Sequence, residues 1–197
     1  MDRDSFKERE RAQEEGYFRA QDAKLIEKLR EDARLEEIVL ALAERLQVDN
    51  PELLRRVIAL GVTLDTGPAF LLAPLVQVAW AEGKITDRER ETVLRLAVAR
   101  GVEEGSPAYA QLLKWLQERP SDNLFDTAME VIRGGLALLP PGEREERLKR
   151  LVQACHEVAE ASGGLAKVLG LGSGVSGEEE AVLEAMTTRL REHREVG

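Results

Sequence analysis

Residues 78–94 read VAWAEGKITDRERETVL. An apolar run, a glycine corner and a helix-start signal follow one another there. Gly83 stands where a helix would end, because a residue without Cβ takes the left-handed backbone that closes a last turn. Thr86-Asp87-Arg88-Glu89 has the form of a capping box. The Thr86 hydroxyl can accept from the Glu89 N–H, and the Glu89 carboxylate can reach back to the Thr86 N–H. Val93, Leu94 and Leu96 then supply the buried face of a new helix. The stretch predicts helix, corner, helix.

A second copy of this grammar lies downstream. Val158-Ala159 and Gly163 match Val78-Ala79 and Gly83 at an offset of 80. Val175, Ser176, Glu179 and Leu183 match Ile85, Thr86, Glu89 and Val93 at an offset of 90. The difference of ten is a Gly-rich insertion, residues 165–174. Two capping boxes at the same place in two helix pairs predict an internal repeat. The alternative is that unrelated helical hairpins share such punctuation. A calcium loop is excluded. Gly83, Ile85 and Glu89 suit its positions 6, 8 and 12, but its early ligand positions would be Val78, Trp80 and Glu82, two of them without side-chain oxygen.

At 197 residues the chain has the size of one domain with a small additional element. Hydrophobic residues make up 43% but aromatics only 4%, so the core must be built from Leu, Val and Ala, which suits helix packing. A net charge of −9 argues against nucleic acid as partner, because phosphate contacts need a basic stripe. The single Cys155 rules out an internal disulfide and fits a reducing compartment. The charge-dense first 24 residues carry no secretory signal, and the most apolar stretch, 69–81, is too short for a membrane span. The expectation is a cytoplasmic protein with no membrane span.

The rest of the chain reads as helices. Residues 1–34 form a charged N-terminal helix. Positions 2–31 hold nine acidic and eight basic residues, with a sparse apolar set of Phe6, Tyr17, Phe18, Leu25, Ile26 and Leu29. Such a helix projects into water, pairs with another copy or lies on a partner. From 35 the stripe of Leu35, Ile38, Val39, Leu42 and Leu46 predicts a core-facing helix, continuous with the first or following it. Asn50-Pro51 starts the next, and Gly61 ends it. Residues 68–82 are apolar nearly all round, which places a helix in the middle of a bundle, with Pro74 forcing a kink or a later start. Helices follow over 87–100, from Ser106-Pro107 to Pro120, from Ser121 past Leu136, over 143–161 and over 176–192. Pro140-Pro141-Gly142 is read as a loop and 163–174 as a connector. Cys155 falls on an apolar stripe, so a buried, inert thiol is expected. The domain is 35–192, and 193–197 is a tail. The fold class is all-α, seven to eight helices built from two helix–corner–helix repeats, plus the long charged helix. No Ser/His/Asp set, Cys–His pair, HExxH, phosphate loop or dinucleotide fingerprint is present, so the expectation is a protein that is not an enzyme.

Two resemblances sharpen these expectations. The corner is similar to the signature of the TerB-like tellurite-resistance family, roughly apolar-Ala-Trp-Ala-Asp-Gly followed by an apolar residue, a cap and Glu. The resemblance implies a TerB-like helical bundle. It also implies that the corner carboxylates, Glu82 and Glu89 here, bind a divalent metal ion in a stress-response setting. Glu82 stands where that family usually has Asp, and Ser162 stands at the acidic position of the second copy. The residues alone leave Glu89 a cap and Glu82 an exposed helix-end carboxylate.

Phe6, Arg9, Glu10, Ala12, Glu14, Tyr17 and Phe18 fall in register with the inhibitory segment of the mitochondrial ATP-synthase inhibitor protein, which residues 6–19 resemble. In that family the helix inserts between subunits of the catalytic head. The resemblance implies an F-type ATPase as partner and Phe6, Arg9, Glu10, Glu14, Tyr17 and Phe18 as partner-binding residues. The residues alone leave a homodimer through this helix, or a helix folded back, as alternatives. The functional expectation is a non-enzymatic regulatory protein whose N-terminal helix binds and inhibits an ATPase or another protein. The alternative is a metal-ion-binding stress protein that uses the corner carboxylates.

Overall fold

The computed structural model describes residues 3–162 and 175–191, with side chains from Arg19 onward, those of Ala20 and Ser162 excepted. All described secondary structure is helical, in nine helices: α1 Arg3–Leu46, α2 Pro51–Ala59, α3 Gly67–Phe70, α4 Ala73–Ala79, α5 Asp87–Ala99, α6 Pro107–Gln117, α7 Asp122–Ala137, α8 Pro141–Ser162 and α9 Gly177–Arg191. The expected all-α class is what the chain adopts. Its contacts divide it into two units, Met1–Leu40 and Ala41–Gly197.

The first unit is the greater part of α1. The charged segment and the stripe that follows it are one unbroken helix of 44 residues, ~66 Å long at 1.5 Å per residue. Three of its described apolar side chains stand well out in solvent: Leu25 is exposed by 57%, Ile26 by 49% and Leu29 by 58%. Leu35, expected to face the core, is also exposed, and burial along the helix begins with Val39. The stripe is too sparse at Leu35 to be covered, with Arg34, Glu36 and Glu37 around it.

In the second unit, punctuation sets each helix. Asn50 caps α2 by accepting from Leu53 N–H at 3.1 Å, with Pro51 in the first turn where its missing N–H costs nothing. Ser106 and Ser121 cap α6 and α7 in the same way. Gly61, Gly83 and Gly101 each follow a helix with positive φ, the conformation that favours glycine. The C-terminal end of α7 is tied down from outside. Arg144 donates to the carbonyls of Leu136 and Ala137 at that end and of Leu139 just past it.

The single helix expected over 68–82 is divided into α3 and α4 by a turn at Leu71-Leu72. Pro74 brings no N–H to a continuous ladder, so the chain restarts with Leu75 N–H on Leu72 O at 3.0 Å. Pro141 and Gly142, read as a loop, are instead the first turn of α8, because proline at a helix start loses no hydrogen bond. The central helix is α4. Its Ala73, Leu75, Val76 and Val78 are fully buried, and it packs against α5, α6, α7, α8 and α9. Trp80, just past its end, donates from Nε1 to the Trp115 carbonyl at 2.8 Å and so pins α4 to α6. The two helix pairs pack crosswise: α5 lies on α8, and α9 lies on both α4 and α8. Surface ion pairs join further elements, Arg56–Glu130 at 2.7 Å between α2 and α7 and Arg189–Asp126 at 2.7 Å between α9 and α7.

Candidate functional site

The corner at 78–94 is built as its residues dictate. Gly83 has φ +76°, and the chain then runs extended through Thr86 into α5. The capping box is complete. Thr86 Oγ1 accepts from Glu89 N–H at 3.2 Å, while Glu89 Oε2 accepts from Thr86 N–H at 2.6 Å and from the Thr86 hydroxyl at 2.7 Å. Glu89 is 2% exposed. A buried carboxylate needs such donors, since burial without them would cost several kcal/mol, on the order of a lost charged hydrogen bond or more.

The downstream corner repeats the arrangement before α9. Ser176 N–H donates to Glu179 Oε2 at 2.8 Å, and Glu179 N–H donates to Ser176 Oγ at 3.2 Å. Glu179 is fully buried. Gly163, its expected counterpart to Gly83, lies outside the described residues, as does the connector.

The two corners are brought together. Burial pushes the Glu89 carboxyl above its usual range. The backbone and hydroxyl hydrogen bonds from Thr86 pull it back, and the neighbouring Glu179 and Glu82 carboxylates push it up further. Desolvation outweighs the hydrogen bonds, so the net direction is upward. Glu82 itself is exposed at the helix end. The corner thus gathers carboxylate oxygens, but one oxygen of Glu89 and one of Glu179 already serve as caps. Among the described residues no group of three His, Cys, Asp or Glu side chains is placed to hold a metal ion.

For Phe6, Arg9, Glu10, Glu14, Tyr17 and Phe18 the backbone is helical within α1, and their side chains lie outside those described. Cys155 is buried among apolar neighbours, and burial pushes its thiol up to about 12, while His156 next to it is exposed. No helix among the described residues is long and apolar enough to cross a membrane.

One feature of the second unit had no signal in the sequence. An open groove of about 1100 Å³ runs between the end of α1, the α3 segment, the α5–α6 turn, α7 and α8. Its lining comes from five separate stretches, so no local pattern betrays it. No family model matches the chain, and no curated protein or solved structure matches it either.

Proposed function

We propose that the protein is a non-enzymatic, TerB-like binding module whose N-terminal helix engages and inhibits a protein partner, in the first instance an F-type ATPase. One observation carries this reading: α1 presents Leu25, Ile26 and Leu29 to solvent, each about half exposed or more, on a helix otherwise dense in charge. A lone exposed leucine needs no explanation, but a set on one helix is the usual form of a helix-in-groove ligand. The in-register Phe6–Phe18 segment extends the same helix toward its N-terminus. The two capped corners and their crosswise helix pairs support the TerB-like repeat. The test is removal of residues 1–34, followed by titration of isolated ATPase catalytic heads. Inhibition by the intact protein and none by the truncated one is expected. Equal activity of the two removes the proposal.

A second reading, a divalent-cation-binding stress protein that uses Glu82 and Glu89, is favoured by the electrostatic influence of the Glu82 carboxylate on Glu89. Calorimetry with calcium, manganese and zinc decides it. Binding heat that is lost in Glu82→Gln supports it, and no heat leaves these carboxylates as caps.

A further inference from the structure

We infer that the groove of the second unit is a receptor for the α1 helix of a second copy of this chain, seated through residues 22–36. The floor of the groove is apolar, with Leu46, Leu72, Val102 and Leu136 buried there and Leu151 half-buried. Its rim is basic: Arg45, Arg100, Arg147 and Arg150 line it, against two carboxylates, Glu44 and Asp65. Arg150 pairs with Glu146. Among the described residues Arg45, Arg100 and Arg147 make no ion pair; Arg100 donates to the Leu96 carbonyl and Arg147 to the Gln47 side chain. On a chain of net charge −9 this is a local excess of cations around an apolar trough. Its complement is an amphipathic helix whose apolar face is bordered by acids.

The chain itself carries such a face. Residues 22, 25, 29, 32 and 36 follow one another at steps of three and four, which places them along one side of a helix. They are Asp22, Leu25, Leu29, Asp32 and Glu36, with Ile26 beside them, and all are exposed. The basic residues Lys24, Arg30 and Arg34 fall on other sides of the same helix, while Lys28 borders this side between Leu25 and Asp32. Leucines flanked by carboxylates match a leucine floor flanked by arginines. The groove is also larger than the roughly 300–1,000 Å³ of pockets that enclose small ligands, and it is open, which suits a helix better than an enclosed molecule.

This inference rests on the helix as binding element but not on the ATPase, so it is tested on the purified full-length protein alone. Sedimentation equilibrium should find a concentration-dependent dimer that weakens as salt rises, because rim charges contribute to it. Reversal of the rim by Arg45→Glu with Arg147→Glu, and of the helix by Asp32→Arg with Glu36→Arg, should each weaken association at least tenfold. The four changes together should restore it. The helix pair lies at exposed positions outside the domain core, so its effect can be read even if the rim variant is poorly folded. A monomer at every concentration overturns the inference. So does a dimer that ignores both reversals but is lost with Leu25→Asp, which would be a helix-on-helix seam.

Discussion

Glu89 and Glu179 hold the first turns of two different helices from buried positions, and for Glu89 burial sets the response to pH. The folded Glu89 carboxyl titrates above its unfolded counterpart, chiefly because burial disfavours its charge. In the acid range, below the ordinary carboxylate value of about 4.3, its contribution to stability is complete, and it is lost as pH rises through the folded value. Glu89→Gln keeps a capping side chain but no charge. Urea unfolding from about pH 4 to pH 8 should therefore show the stability of the parent protein, relative to Glu89→Gln, falling as pH rises. A gap that widens with pH would contradict the assignment. Gly83 offers a second reading at this scale. Its φ of +76° disfavours any Cβ, yet nothing lies within 4 Å of the site where one would be added. Gly83→Ala should cost about 1 kcal/mol through the backbone alone, seen as a small drop in the urea midpoint. Cys155 should resist thiol reagents at neutral pH until the protein unfolds, since its thiol titrates near 12.

Among the elements, α1 and α4 are opposites. In α4 every residue but Gln77 is buried, so Leu75→Ala should cost about 2–5 kcal/mol in denaturant unfolding. In α1, Leu29→Ala should change stability by no more than about 0.5 kcal/mol, because the side chain is already in water. A leucine that can be removed without loss of stability is available for binding instead. Much of this was legible in the residues. Caps at Asn50, Thr86, Ser106, Ser121 and Ser176 placed helix starts because side-chain oxygens beside orphan N–H groups act locally. Pro74 announced a break, though not its position at Leu71-Leu72. Pro141 misled, since proline ends one helix and opens another with the same ring. Leu35 misled because spacing alone does not say where along a helix the covering neighbours stop. The meeting of Glu89 with Glu179 and the assembly of the groove depend on how distant helices cross, which no local signal encodes.

Taken whole, the chain divides its labour. Among the described residues, the unit Ala41–Gly197 buries most of its apolar side chains and the carboxylates of Glu89 and Glu179, and its corners are occupied by structural hydrogen bonds. In the unit Met1–Leu40, Leu25, Ile26, Leu29, Leu35 and Leu40 lie in solvent. The function we propose accordingly rests on α1 rather than on the corner at 78–94. Steady-state ATP hydrolysis by isolated catalytic heads, titrated with the parent protein, Phe18→Ala and Glu89→Gln, tests this most directly. Expected are inhibition by the parent, inhibition weakened by ~1–3 kcal/mol of binding for Phe18→Ala, and undiminished inhibition by Glu89→Gln. No inhibition by the parent, or equal inhibition by Phe18→Ala with loss in Glu89→Gln, would contradict it.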